Sequence, residues 1–179
     1  ILSMGVLMVA VSSIGIWFLS VEVNIINLFK PGNEIRESTL FLDRKMAGSM
    51  NLVLKVEGDM KEPDILNKMV DIQDYISAFP SVNTTFSIAD VIKEMHKSIM
   101  DNDSAYETIP ETREKINNLF TMYSMSGDPD DFEALVDYEY KTGLITAMMQ
   151  SVSTKEIVIM ADQIEAYIDN IGMEELKTE

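Results

Sequence analysis

The sequence predicts a mixed α+β domain carried behind one membrane-spanning helix. Three features predict it. The first 21 residues, Ile1–Val21, contain no Asp, Glu, Lys or Arg. Asn51–Gly58 (NLVLKVEG) alternates apolar and polar residues with period two, the pattern of a half-buried strand. From Pro63 onward, runs with apolar residues three and four apart alternate with short β-prone runs, so helices and strands share one core.

At 1.5 Å per residue, the uncharged leader is long enough for a hydrocarbon core of about 30 Å, and Trp17 and Phe18 lie near one end, where aromatic side chains favour the interface. A secretory signal peptide would open on basic residues and have a shorter apolar run; a buried core helix is the plainer alternative. We therefore expect residues 1–28 to form a transmembrane helix and 29–179 to form one domain. The chain opens on Ile rather than Met, which reads as a piece of a longer polypeptide. A net charge of −16 repels phosphate backbones and excludes direct nucleic-acid binding; it also disfavours an anionic lipid surface. With no cysteine, disulfides, thiolate nucleophiles and cysteine zinc sites are excluded. Because Lys and Arg concentrate on cytoplasmic flanks, the acid-rich domain is expected outside.

Pro31-Gly32-Asn33 breaks the leader helix. Arg36–Met46 then reads as a short helix ending near Gly48. In the strand that follows, Leu52, Leu54 and Val56 share one face, and Val53, Lys55 and Glu57 the other. Pro63 opens an amphipathic helix with Ile65, Leu66, Met69, Ile72, Ile76 and Phe79 on its apolar side. SVNTTF after Pro80 is a short strand, and Ser87 with Asp90 is a capping box for a helix striped by Ile88, Val91, Ile92, Met95 and Ile99. Thr108 with Glu111 is a second such start, before a helix carrying Ile116, Leu119, Phe120 and Tyr123 and stopped at Gly127. Asp128-Pro129 with Asp131 predicts a short helix bearing Phe132, Leu135 and Val136. Lys141–Val152 reads as a strand covered on both faces, with Ile145, Ala147 and Met149 on one and Leu144, Met148 and Val152 on the other. Ser153 with Glu156 caps a last helix carrying Ile157, Met160, Ile164, Tyr167 and Ile171. Without a helical insert at about 88–140, the order is βαβ…βα. That is a ferredoxin-like split βαβ unit lacking its last strand, which is expected just past Glu179.

The segments NLFKPGNEIRES after an apolar run, FLDRKMAGS before a strand, FSIADVIKEMHKSI and IPETREKINNLFTMYSMSG, in that order, resemble the large extracytoplasmic loop of resistance-nodulation-division (RND) superfamily exporters. The nearest group comprises the mycobacterial large membrane proteins, hopanoid transporters and Patched-like proteins, and the second-half loop is the better match. The resemblance implies a porter domain of a proton-driven, multi-pass exporter in the cell membrane. Its expected partners are a hydrophobic or lipid substrate and the remainder of the same transporter chain, with a homo-oligomer as a further option. The proton-relay acids of such proteins lie in membrane helices that this chain does not contain.

No catalytic, cofactor-binding or metal residue is assigned from the sequence, and no enzyme activity is expected. His96, the one histidine, lacks obvious partners besides Asp90 and Glu94 and reads as a surface residue. Asp101, Asp103 and Glu107 loosely follow a calcium loop but lack the central Gly and the final Glu. Asp128, Asp130 and Asp131 have an ordinary reading as helix-capping charges. Of the fourteen methionines, Met122, Met125, Met148 and Met149 invite a soft-metal reading, but no spacing makes them a ligand set; core filling, or a pliable apolar surface, suits methionine better. Asn83-Thr84-Thr85 and Asn102-Asp103-Ser104 are glycosylation sequons. An extracytoplasmic sensor domain of a membrane receptor is the alternative to the exporter reading. Several closely spaced membrane helices farther along the gene would favour the exporter; a single one would favour the sensor.

Overall fold

A computed structural model describes residues 24–126, 132 and 134–172. In chain order it has α1 (Ile25–Leu28), α2 (Glu34–Lys45), β1 (Met50–Glu57), α3 (Pro63–Ser77), β2 (Val82–Ser87), α4 (Ile88–Ile99), a 3-10 turn (Ser104–Tyr106), α5 (Arg113–Ser126), β3 (Thr142–Met149) and α6 (Thr154–Asn170). The three strands form one sheet in the order β1-β3-β2, with β3 antiparallel to both neighbours. β1 and β2 therefore run in the same direction, joined by α3. Among the described residues no helix is long and apolar enough to cross a membrane. Residues 1–23, which hold most of the expected spanning helix, lie outside the described residues.

The alternation read in β1 holds. Leu54 and Val56 are buried, whereas Asn51, Val53 and Glu57 are exposed. α3 buries Leu66, Met69, Ile72 and Ile76 completely, each worth about 1.5–3 kcal/mol of transfer free energy. Pro63 at its first turn costs nothing, because that N–H has no helical partner. α6 packs against α3 through Met160, Ile164 and Ile168, and the stacked rings of Tyr75 and Tyr167, with centroids 4.1 Å apart, close the seam. These residues, with Ile145, Ala147 and Met149 of β3, form one core on one side of the sheet.

Two of the three predicted capping boxes form. The Ser87 side chain accepts from the Ala89 N–H while Asp90 reaches back to the Ser87 N–H, and Ser153 and Glu156 repeat the arrangement on α6. Gly48, at φ +118°, lies so close to β3 that a Cβ would collide with the Met149 carbonyl oxygen, which explains a glycine just before β1.

Several expectations change. β3 is covered on one face only: Gly143, Ile145, Ala147 and Met149 are buried, Leu144 and Thr146 are half-buried and Met148 is exposed. A central strand in an antiparallel sheet can leave one face open, unlike the parallel arrangement that covers both. The chain enters α1 from extended backbone at Asn24, whose side chain accepts from the Ile26 N–H. Residues 25–28 are therefore a separate turn rather than the end of a continuous helix over 1–28. α5 begins at Arg113 and not at Thr108; Thr112 accepts from the Lys115 and Ile116 N–H groups. Most of the expected short helix around Phe132 lies outside the described residues; beyond it Val136 bridges to Gly143, and the Asp137 carboxylate accepts from the Lys141 and Thr142 N–H groups. Phe132 and Val136 still reach the core. Gly127 and Asp128–Asp131 lie outside the described residues.

Candidate functional site

α4 leaves β2 directly, and one polar junction fixes its direction. The Ser87 hydroxyl donates to the Gln73 Oε1 at 2.7 Å, and the Gln73 amide donates to the Asp90 Oδ2 at 2.6 Å. The same carboxylate oxygen accepts from the Ser87 N–H at 3.0 Å, and its second oxygen pairs with Lys93 at 2.9 Å. Ser87 and Gln73 are both buried, so each of these bonds replaces a lost hydration contact.

So anchored, α4 divides its apolar residues between two faces. Ile88, Ala89 and Ile92 enter the core. Val91, Met95 and Ile99, each one turn from the next, instead face α5 across a groove of about 590 Å³. Leu119, Met122 and Tyr123 of α5 form the opposite wall, and Phe86 of β2 is also in the lining. The sequence shows the apolar stripe but not this division, because one 3.6-residue period fits both a core face and a groove wall. Asp90 and Glu94 stand among the lining residues. Both are paired with lysines, Asp90 with Lys93 and Glu94 with Lys97 at 3.4 Å, so the surface offered is mainly apolar. Its volume is that of a pocket for a drug-sized or single-chain lipid molecule.

His96 is buried, at 8% exposure, and not a surface residue as expected. It sits one turn after Ile92, on the core side of α4. Its Nδ1 lies 2.9 Å from the Thr108 carbonyl oxygen, which can only accept, so Nδ1 carries the hydrogen. The Tyr106 ring meets it edge-on at 5.6 Å. This contact ties the 3-10 turn to α4 and lines a smaller cavity of about 250 Å³ with Pro110, Asn118 and Met122. The sequence could not reveal the partner, which is a backbone carbonyl.

Two of the acidic candidates, Asp103 and Glu107, have structural partners. Asp103 caps the 3-10 turn by accepting from the Ala105 N–H, and Glu107 pairs with Lys97 at 3.0 Å. Glu107 and Glu94 together raise the Lys97 pKa above its ordinary value. Among the described residues no group of three His, Cys, Asp or Glu side chains could hold a metal ion. The four methionines do not converge either: Met122 and Met125 border the groove, whereas Met148 and Met149 point to opposite faces of β3. Of the sequons, Asn83 is engaged through its side chain with the Ala47 carbonyl and Gln150, and Asn102 sits at φ +59° in an exposed turn.

A second fixed point holds α5. Arg113 binds Asp59 at 2.8 Å and Glu62 at 3.0 Å, joining the start of α5 to the loop after β1. Burial pushes the Asp59 carboxyl up, but the Arg113 hydrogen bond, the Lys61 N–H and the two cations outweigh it and hold the group below its ordinary value. Comparison with known proteins found no family model, no curated protein and no solved structure that matches the chain.

Proposed function

We propose that the chain is an extracytoplasmic porter-domain segment of an RND-type exporter, and that the groove between α4 and α5 receives the acyl or other apolar part of its substrate. The observation that carries the reading is the groove itself: an apolar cleft bordered by methionines, in a chain that also has an uncharged leader long enough to span a bilayer. Flexible thioether side chains accept apolar partners of differing shape, as export of hydrophobic molecules requires. The strand order supports the ferredoxin-like part of the reading, because a split βαβ unit likewise places an antiparallel strand between two strands joined by a helix. β1 is an edge strand among the described residues, and its outer side is where a fourth strand would pair.

In this reading the domain performs no bond chemistry. Movement of α4 and α5 relative to each other opens and closes the groove, driven by proton movement in membrane helices elsewhere in the parent protein. The test uses the 179-residue chain in phosphatidylcholine vesicles containing a lipid with a diazirine on its acyl chain. Illumination should label Val91, Met95 and Met122, and Met95→Glu should reduce labelling at Met122 on the opposite wall. Labelling confined to Ile1–Val21, or unchanged by Met95→Glu, overturns the groove as the substrate site. A protein with only one further membrane helix, followed by a signalling module, would instead be a receptor whose groove binds a ligand.

A further inference from the structure

We propose that the cleft between α4 and α5 takes a single-chain amphiphile in one orientation. A compact acidic head, such as a phosphate monoester, lies against His96, Lys115 and Asn118, and the alkyl chain runs toward Phe86. This inference rests on the reading of the α4–α5 groove as a substrate site.

The groove continues beyond Met122. Ile99, Leu119 and Met122 line both the groove and the cavity of about 250 Å³ beside His96, so the two are neighbouring compartments of one cleft. Their linings differ in charge. The charged side chains of the larger compartment are the acids Asp90 and Glu94, whereas the smaller has Lys115, with His96 and Asn118, and no acid. In a chain of net charge −16, a compartment with an ammonium and no carboxylate in its lining is where an anion meets least repulsion. At the other end Asp90 and Glu94 already hold Lys93 and Lys97, so that end suits the chain and not the head.

The smaller compartment has hydrogen-bonding capacity to spare. His96 is buried at 8% exposure and its Nδ1–H is spent on the Thr108 carbonyl, which leaves Nε2 with a lone pair. Among the described residues Nε2 has no partner, and no buried side-chain nitrogen or oxygen is both sealed from solvent and unpaired. Nε2 therefore reaches open space, and the space that His96 borders is this cavity. Lys115 lies 3.8 Å from Glu111, beyond hydrogen-bond range. Lys115, Asn118 and Met122 follow at three- and four-residue steps, so one face of α5 grades from cationic to apolar along the cleft. An acidic head uses all three polar groups: its oxygens accept from the Lys115 ammonium and the Asn118 amide, and one proton is shared with Nε2. The alkyl chain then passes Ile99, Leu119 and Met122 toward Val91 and Phe86.

The test uses the full 179-residue chain in phosphatidylcholine vesicles at neutral pH, with photoreactive probes that share a hexadecyl chain and end in a phosphate, an alcohol or a trimethylammonium. Each is made with its diazirine at the chain end or next to the head, and cross-links are mapped by mass spectrometry per probe taken up by the vesicles. We expect the phosphate to label the cleft several-fold more than the alcohol, and the trimethylammonium least. The chain-end diazirine should mark Phe86 or Val91, and the one next to the head Met100 or Asn118. Lys115→Glu should abolish the preference for phosphate, and Lys115→Gln should reduce it, which separates loss of the cation from added repulsion; circular dichroism checks that both variants fold. Equal labelling by the three probes, a preference unmoved by both variants, or the two diazirine positions marking the opposite ends overturns this inference while the groove remains the substrate site. If no probe labels a cleft residue, the substrate reading fails and this inference with it.

Discussion

Ser87→Ala is expected to destabilise the domain by about 2–4 kcal/mol. Loss of the N-cap acceptor for the Ala89 N–H costs about 1 kcal/mol. Loss of the hydroxyl that donates to the Gln73 Oε1 leaves an unpaired acceptor on a buried side chain, at about 1–3 kcal/mol. With a urea slope of about 2 kcal/mol per molar, the unfolding midpoint should fall by about 1–2 M. The assay is urea unfolding of the full chain in detergent micelles, followed by far-ultraviolet circular dichroism. The informative comparison is the double variant Ser87→Ala/Gln73→Leu, in which the orphaned acceptor is also removed. Its cost should be smaller than the sum of the single costs by about 1–2 kcal/mol. Thr39→Ala, which removes an exposed bond within α2, serves as a control and should stay within about 0.5 kcal/mol. If the two substitutions add within about 0.5 kcal/mol, Gln73 and Ser87 act separately. The account of how α4 is aimed at the groove would then be wrong.

Gly48→Ala should cost more than Gly143→Ala, as read by thermal unfolding. At Gly48 the obstacle is backbone and φ is +118°, whereas at Gly143 the new Cβ meets the Met60 Sδ at 2.7 Å, a side chain that can shift at about 1–3 kcal/mol. His96→Leu should cost about 1–2 kcal/mol by leaving the Thr108 carbonyl without its donor; unchanged stability would mean that the contact is incidental. Arg113→Ala should cost little stability, and less at high salt, because the pair is exposed. The Asp59 pKa is lower folded than unfolded. Below its unfolded value the unfolded chain therefore binds more protons, and this stability is present above about pH 4 and lost as pH falls through the folded value. Arg113→Ala should flatten that acid limb in a pH series of urea midpoints.

Local sequence determined much of this protein. Period-two alternation located β1, three- and four-residue spacing located α3 and α6, and the Ser-Asp and Ser-Glu pairs located two helix starts to the residue. Each signal is written within a few adjacent residues, so no distant partner is needed to read it. Where a competing local signal existed, the reading slipped. Thr108 with Glu111 imitates a cap, but Thr108 spends its carbonyl on His96 and the helix waits for Arg113. Met-Met in β3 looked covered on both sides, but whether a strand face is open depends on what packs there.

The tertiary structure alone decided the rest. That β3 inserts between β1 and β2, that His96 is buried against a carbonyl, and that Gln73 joins two elements at their shared corner all involve residues far apart in the chain. The groove is such a case too. Val91, Met95 and Ile99 have the spacing of core residues, and only the separation of α4 from α5 turns their face into a wall. Periodicity fixes which side of a helix is apolar; the packing of its neighbours decides whether that side meets protein, lipid or a ligand.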